Sequence, residues 1–248
     1  YNGLRISLAY KLQIYKKGTI NYYQFLDNKK KQVIQIKSNE IEKIKKENDE
    51  PSNNKIRTVE KKVKSMYTEY TYPKYYESWD NNSPVHPNLF GYISSIDILN
   101  HYIYKGNREN YDNYNVLVAG CGLGSMCIQY SMLFKKYNNV TIVGIDLSET
   151  SLNIARNRIK KYNLNNVKLI EMSLLDLKPE MFGEFDLITC LGVLHHLESP
   201  ELGLQALKNV LKEDGCMHIM VYGKYGRTGV YQMQDLMKLV NRNVNENN

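Results

Sequence analysis

The sequence lacks the features that build membrane spans, disulfide frameworks and metal clusters. No apolar run approaches the roughly 18 residues that a membrane-crossing helix needs. There is no Cys-x-x-Cys pair, and the cysteines show no metal-ligand spacing. All of them lie in apolar stretches, as buried thiols do in a reducing compartment; they are Cys121, Cys127, Cys190 and Cys216. We therefore expect a cytoplasmic protein with no membrane span and no metal site.

Two nucleotide-binding fingerprints are also missing. A G-x-G-x-x-G pattern read from Gly120 or Gly122 needs a further glycine where Ser125 and Cys127 stand. No loop ends in Gly-Lys-Ser or Gly-Lys-Thr. These absences argue against the usual nicotinamide, flavin and triphosphate loops.

Positive charge is abundant but confined to the front of the chain. Residues 1–71 carry 16 Lys and Arg against 8 Asp and Glu, whereas the remainder carries 17 against 18. One interpretation is an arm for nucleic acid or an acidic partner, and the other is a solvated Lys- and Asn-rich stretch. Because the sequence begins at Tyr1 and not at Met, we also expect a piece of a longer protein.

The first third of the chain has weak patterns. Residues 19–25 and 32–37 predict a hairpin, residues 39–46 a short helix, and the polar stretch 48–55 with Pro51 a linker. A tyrosine-rich segment follows from residue 59, in which three prolines favour extended or turn pieces. Residues 89–104 then predict a helix.

Strand and helix patterns alternate after residue 115, which is typical of a parallel sheet covered on both faces. The predicted strands are residues 116–119, 140–145, 167–171, 185–191 and 216–222, with a turn at Asp214-Gly215 before the last. The predicted helices are residues 124–136, 148–162, 200–211 and 230–240. The fold class is therefore α/β, a doubly wound and mostly parallel sheet.

The segment with the clearest chemical meaning joins the first of these strands to its helix. The sequence Val116-Leu117-Val118-Ala119-Gly120-Cys121-Gly122-Leu123-Gly124 is a buried strand that ends in a glycine-rich turn. Glycines allow the main chain to approach a ligand closely, and the amides of the next helix face its polar end. Asp146 ends the second strand, where a carboxylate can hold ribose hydroxyls or cap the following helix.

Two later segments complete the pattern. The loop Glu171–Asp176 follows the third strand, where a side-chain oxygen and a backbone amide could bind the edge of a base. The fourth strand opens into Leu191-Gly192-Val193-Leu194-His195-His196. The two histidines are either proton acceptors or structural residues that close this loop.

In this order and spacing, the motifs resemble the class I S-adenosylmethionine-dependent methyltransferases over residues 116–222. The resemblance implies that the glycine turn holds the methionine and ribose portion, Asp146 the ribose hydroxyls, and Ser173 and Leu174 the adenine. It implies that Leu191 and Gly192 lie under the sulfonium. The implied S-adenosyl-L-methionine-binding residues are Gly120, Cys121, Gly122, Gly124, Asp146, Leu147, Ser173, Leu174, Leu191 and Gly192.

The sequence departs from the family pattern in three places. Val118 and Ala119 stand where many members carry an acidic residue, and Ser173 stands where Asp is commoner. Residues 66–75 resemble, loosely, a lead segment found before this domain in some members, which suggests an aromatic lid over the cofactor; the alternative is that these tyrosines pack on the edge of the sheet. No sequence for the family's last two strands follows residue 240. We therefore expect a Rossmann-like sheet without those strands, preceded by an N-terminal extension.

Three parts follow from this interpretation. Residues 1–55 are a basic segment, residues 56–114 a tyrosine-rich lead and helix that cap the cofactor site, and residues 115–241 the cofactor-binding domain. The predicted function is methyl transfer to an unidentified small molecule or protein. The alternative is a non-catalytic module of the same fold that binds a partner through its basic segment.

Some roles stay open at this stage. His86, Tyr76 and Tyr225 are further candidates for the mouth of the site, and the basic loop Gly223–Gly229 is either an anchor for an acidic substrate or a connector. Nucleic acid is not the favoured acceptor, because residues 191–194 offer no side-chain amide that could bind a flipped base. The sequence does not specify an oligomeric state.

Overall fold

A computed structural model of the protein describes residues 13–16, 50–74, 96–223 and 225–245. The described strands are β1 Gln13–Lys16, β2 Asn115–Ala119, β3 Thr141–Asp146, β4 Val167–Glu171, β5 Phe185–Leu191 and β6 Leu211–Met220. The helices are α1 Glu50–Glu69, α2 Ile96–Leu99, α3 Ser125–Leu133, α4 Glu149–Lys161, α5 Pro179–Phe182, α6 Pro200–Asn209 and α7 Thr228–Asn245. Helix α2 continues into a π-helical turn, Asn100–Tyr104.

The sheet has the order β1-β6-β5-β2-β3-β4. Strands β2 to β6 run parallel to one another. Strand β1 pairs with β6 antiparallel, with Gln13 opposite Ile219. The order reverses next to β2, because β3 lies on one side of it and β5 on the other. An α/β sheet binds ligands at the carboxyl ends of the strands beside such a reversal.

Both faces of the sheet are buried, as expected for parallel strands covered by helices. Successive residues of β2 point to opposite faces, so Leu117 and Ala119 pack into one core and Val116 and Val118 into the other. Helix α6 covers the first core, and α3 with the α2 turn covers the second. The doubly wound α/β fold predicted from sequence is confirmed.

Two predicted features of the second half of the chain need correction, one in the last parallel strand and one in the last helix. The turn predicted at Asp214-Gly215 lies inside β6, where the pairing with β5 shifts register: Phe185 is opposite Leu211, but Leu187 is opposite Cys216. Gly215 is required at this irregularity because a Cβ there would lie 2.8 Å from the Phe185 carbonyl oxygen. The last predicted helix is longer at both ends than expected.

The linker predicted over residues 48–55 is wrong from residue 50 onward, because α1 begins at Glu50. Pro51 lies in the first turn of this helix, where a missing N–H costs no intrahelical hydrogen bond. The helix also replaces the extended pieces expected between residues 59 and 69. The predicted hairpin, the helix over residues 39–46 and residues 89–95 of the next helix lie outside the described residues.

Strand β1 was not predicted. It pairs with the side of β6 that faces away from β5. The three-part division of the chain stays a prediction.

Candidate functional site

A cavity lies at the carboxyl ends of β2, β3 and β5. Its walls come from the glycine turn after β2, the residues after β3, the loop after β5, the end of β6, and α1 with the chain that follows it. The lining residues that carry the site are Val63, Tyr67, Tyr72, Gly120, Cys121, Gly122, Asp146, Leu147, Leu191, Gly192, Val193, His196, Met220 and Tyr222. Seven of the ten residues implied by the family resemblance therefore line one cavity.

The glycine turn brings backbone close to both neighbouring loops. Gly120 has φ of 70°, and a Cβ there would lie 2.3 Å from a methyl group of Val193. Gly124 has φ of 77° and precedes α3, and a Cβ there would lie 2.8 Å from Cβ of Ala155. The amides of Gly120 and Cys121 both donate to the Ile145 carbonyl oxygen, at 2.8 and 2.9 Å. The turn is thus fixed against β3, and only glycine fits its close approaches.

Asp146 is oriented by backbone amides on both sides. Its Oδ2 accepts from the amide of Gly122 at 2.8 Å, and its Oδ1 accepts from the amide of Ser148 at 2.9 Å. Burial raises the pKa of Asp146, and the amide hydrogen bonds act in the opposite direction. Helix α4 is capped by Ser148, whose Oγ accepts from the amide of Ser151, so Asp146 is not the N-cap. Its carboxylate faces the cavity with acceptor sites left over.

Three predicted binding residues lie behind the cavity wall. Gly124 is the N-cap of α3, and Leu174 is buried in the core beside α6. Ser173 is buried, its Oγ accepts from the amide of Leu175, and its hydroxyl donates to Oε1 of Glu60 in α1. Glu60, which lies outside the parallel region, therefore contacts Ser173, the residue that the family resemblance assigns to the adenine.

The two histidines after β5 have different surroundings. His196 lines the cavity, with its Nε2 3.2 Å from the hydroxyl of Tyr67. The ring of His195 packs on Tyr222, with centroids 4.0 Å apart. Burial lowers the pKa of both, that of His195 to about 4, with the charge of Arg227 contributing in each case. Both imidazoles are therefore neutral at pH 7.

Among the described residues, the remaining candidates for the mouth of the site do not line the cavity. Tyr225 is 84% exposed and does not line the cavity, and Tyr76 and His86 lie outside the described residues. In the basic loop, Arg227 lies over the ring of Tyr222, 4.0 Å from its centroid. Across the described ranges, no group of three or more His, Cys, Asp or Glu side chains could hold a metal. No helix among the same residues is long and apolar enough to cross a membrane.

Sequence analysis did not predict that residues 56–67, which were expected to lie over the cofactor site, form part of the helix α1. Ile56, Glu60, Val63 and Tyr67 repeat at helical spacing and form the inner face of this helix, and the last two line the cavity. This i, i+4, i+7, i+11 pattern was available in the sequence, but the Asn- and Pro-rich start of the helix resembled a linker.

Residues 117–217 match the family described as "Methyltransferase domain". An uncharacterised protein from Synechococcus is 31% identical over 74% of this chain and 42% of its own length. A ubiquinone biosynthesis O-methyltransferase from Acinetobacter baylyi is 26% identical over 40% of each chain. The chain spans less than half the length of these curated relatives.

Among solved structures, PKMT2 from Rickettsia typhi in complex with AdoHcy is 31% identical, with a TM-score of 0.38 over 44% of this chain and 21% of that one. The observations that bear on the family are the match of residues 117–217, the parallel sheet and the glycine turn. Residues 117–217 therefore resemble a methyltransferase domain in sequence, and the strand order and the glycine turn of the structure agree with that resemblance.

Proposed function

We propose that this chain binds S-adenosyl-L-methionine in the cavity described above and transfers its methyl group to a small-molecule or protein acceptor. The observation that carries the proposal is the position of Asp146. Its oriented carboxylate ends β3 and faces a cavity whose adjoining wall is the glycine turn. A carboxylate at this point of an α/β sheet is suited to accept hydrogen bonds from both ribose hydroxyls. The family match over residues 117–217 supports the same cofactor.

The residues fit an elongated nucleoside with a polar tail. Gly122 leaves free the volume that a side chain would fill, because among the described residues a Cβ there would meet only the Tyr72 carbonyl oxygen, at 3.7 Å. Leu191 and Gly192 form the floor after β5. When bound, S-adenosylmethionine supplies an already activated methyl group, so the protein's task is alignment of the acceptor and exclusion of water.

The chain's own groups suit an acceptor that loses a proton. His196 borders the cavity and is neutral at pH 7, because burial lowers its pKa. Its Nε2 is held by the hydroxyl of Tyr67, which comes from α1. A neutral imidazole keeps one unprotonated ring nitrogen, so His196 is the candidate base for a hydroxyl acceptor, and its lowered pKa makes it a weaker base than a free imidazole.

Calorimetric titration of the whole chain with S-adenosylmethionine and S-adenosylhomocysteine tests the proposal. We expect micromolar binding of both. Asp146→Ala removes the two charge-assisted hydrogen bonds proposed between the carboxylate and the ribose hydroxyls. Because each is worth about 1.5–3 kcal/mol, the variant should bind both compounds about a hundredfold more weakly or worse. Asp235→Ala, at an exposed carboxylate of α7, is the matched control and should bind like wild type.

A folded wild-type chain that binds neither compound would overturn the proposal. Equal affinities of the Asp146→Ala and Asp235→Ala variants would overturn the assignment of the ribose site. If binding is found, methyl transfer is sought with radiolabelled cofactor against panels of small molecules and proteins.

A further inference from the structure

Tyr67, in the last turn of α1, contacts two loops of the cavity at once. Its carbonyl oxygen accepts from the hydroxyl of Ser148 at 3.0 Å, and its own hydroxyl lies 3.2 Å from Nε2 of His196. Ser148 follows β3 and His196 follows β5, and these two strands lie on opposite sides of β2. Tyr67 therefore links the two loops across the carboxyl end of β2.

The hydrogen bond between Tyr67 and His196 has one direction that uses every group. A phenol hydroxyl has one proton to donate, and a neutral imidazole has one N–H and one acceptor nitrogen. Within the described residues, Nε2 of His196 is the one hydrogen-bond partner of the Tyr67 hydroxyl. If Nε2 carried a proton, the phenol proton would have no acceptor among these residues. The hydroxyl therefore donates to an unprotonated Nε2, and the imidazole proton lies on Nδ1.

The surroundings of Tyr67 keep its phenol protonated. Burial raises the pKa of Tyr67, and three nearby groups act in the same direction, those of Tyr222, Asp146 and Tyr72. Because a phenolate is disfavoured here, Tyr67 can give up its proton only as it receives another. The side chains of Tyr67 and His196 both line the cavity, so a hydroxyl acceptor in the cavity has access to the phenol oxygen.

We propose that Tyr67 is a proton relay between a hydroxyl acceptor of the methyl group and His196. The inference rests on the proposed function and gives α1, which lies outside the matched residues 117–217, a part in the reaction. The acceptor oxygen bonds to the methyl carbon, and the carbon–sulfur bond breaks with its electron pair left on sulfur. The acceptor's proton moves to Oη of Tyr67 as the phenol proton moves to Nε2 of His196. The phenol is thereby regenerated, and the imidazolium afterwards releases its extra proton to solvent.

Nitrogen-15 NMR of the whole chain with labelled histidine tests the direction of the hydrogen bond, because it distinguishes protonated from unprotonated ring nitrogens. His196→Gln identifies the His196 signals. At about pH 8, where the imidazole is neutral, we expect the proton on Nδ1. Tyr67→Phe keeps the ring and removes the hydroxyl, so the ratio of the two tautomers should shift toward Nε2–H about fivefold, as loss of one hydrogen bond predicts. Tyr70→Phe, whose side chain is 68% exposed just beyond α1, is the matched control and should keep the wild-type ratio.

Turnover separates a relay from a merely structural contact. With a hydroxyl acceptor found by the radiolabelled-cofactor panels, Tyr67→Phe should lower kcat at least about tenfold. The Kd of S-adenosylhomocysteine should stay within about threefold of wild type, because the ring that lines the cavity is kept. Tyr70→Phe should match wild type in both measurements. A Tyr67→Phe chain with the kcat of wild type overturns the inference.

The NMR outcomes decide the inference without an acceptor. A proton on Nε2 of His196 in the wild-type chain overturns it, because a protonated Nε2 cannot take the phenol proton, and this result needs no variant. An unchanged tautomer ratio in Tyr67→Phe overturns it too, since other contacts then hold the imidazole. Failure of the proposed function looks different: the wild-type chain would not bind S-adenosylhomocysteine, whichever nitrogen of His196 carries the proton.

Discussion

At the scale of single residues, the histidines after β5 lie in surroundings that disfavour their charged form. The pKa of His195 is lowered to about 4 by burial, and by the charges of His196 and Arg227. Within the described residues, neither ring nitrogen of His195 has a hydrogen-bond partner. Its interactions are those of an aromatic ring, packed on Tyr222 and close to His196.

This environment predicts a pH dependence of stability. The unfolded chain protonates His195 near its ordinary pKa of 6.5, whereas the folded chain does so near 4. Between these values the unfolded state binds more protons, so the free energy of unfolding falls as the pH is lowered. We expect His195→Gln to lose part of this slope when urea unfolding is compared at pH 7 and pH 5.

The matched control for this prediction is His101→Gln. His101 is exposed, so its replacement should leave the slope as in wild type. Part of the slope should persist in every variant, because burial also lowers the pKa of His218 to about 4. An unchanged slope in His195→Gln would contradict the assignment.

The residues of the cavity differ in how far the sequence could predict them. The turn at Gly120–Gly124 and the acidic residue Asp146 each form a local pattern with a fixed place at a strand end, so their positions follow from the strand prediction. The contact between Glu60 and Ser173 joins residues 113 positions apart. Such a pair arises from the packing of α1 over β4, which no local pattern specifies.

At the scale of elements, most long helices and strands of the parallel region could be predicted because they combine an apolar pattern with clear ends, whereas the short helix α5 was not predicted. Ser199 followed by Pro200 marks the start of α6, and its hydroxyl indeed accepts from the amide of Leu202. Helix α1 has apolar residues at helical spacing, but its sequence does not show where the helix begins. Its first turn is polar and contains proline, and its stability comes from contacts with distant loops.

Helix α1 docks through an apolar face and a rim of ion pairs. Ile56 is buried with 7% of its surface exposed, whereas Lys64 pairs with Glu171 at the surface, with 48% and 37% of the two side chains exposed. Lys55 and Glu198 form a similar pair. Exposed ion pairs contribute little, because solvent already stabilises both charges.

Substitutions on the two sides of α1 should therefore differ in cost. Ile56→Ala creates a cavity and should lower the free energy of unfolding by about 2–5 kcal/mol, or open α1 locally by that amount. Lys64→Ala should cost no more than about 1 kcal/mol. Urea unfolding and amide hydrogen exchange of residues 50–69 measure both effects. A larger loss for Lys64→Ala than for Ile56→Ala would show that ion pairs dominate the docking.

At the scale of the whole molecule, the sheet depends on its outer strands. The described part of β6 pairs with β5 on one side and with β1 on the other, so β1 covers backbone N–H and C=O groups that would face solvent. An uncovered strand edge is a template for pairing with another chain. From its composition, the front of the chain was predicted to be a separate basic segment. The pairing of β1 was not predicted, because four residues that pair through their backbone change neither the charge nor the hydropathy pattern.

Deletion of residues 1–16 removes β1 and should expose the edge of β6. We expect a lower free energy of unfolding and concentration-dependent association, measured by urea unfolding and by light scattering after size-exclusion chromatography. Deletion of residues 1–12 is the matched control, because it keeps Gln13–Lys16 and their pairing with β6. If both truncated chains match the full chain in stability and mass, β1 does not protect the edge, and β6 stays folded and monomeric without it. If both associate equally, residues 1–12 and not the strand are responsible.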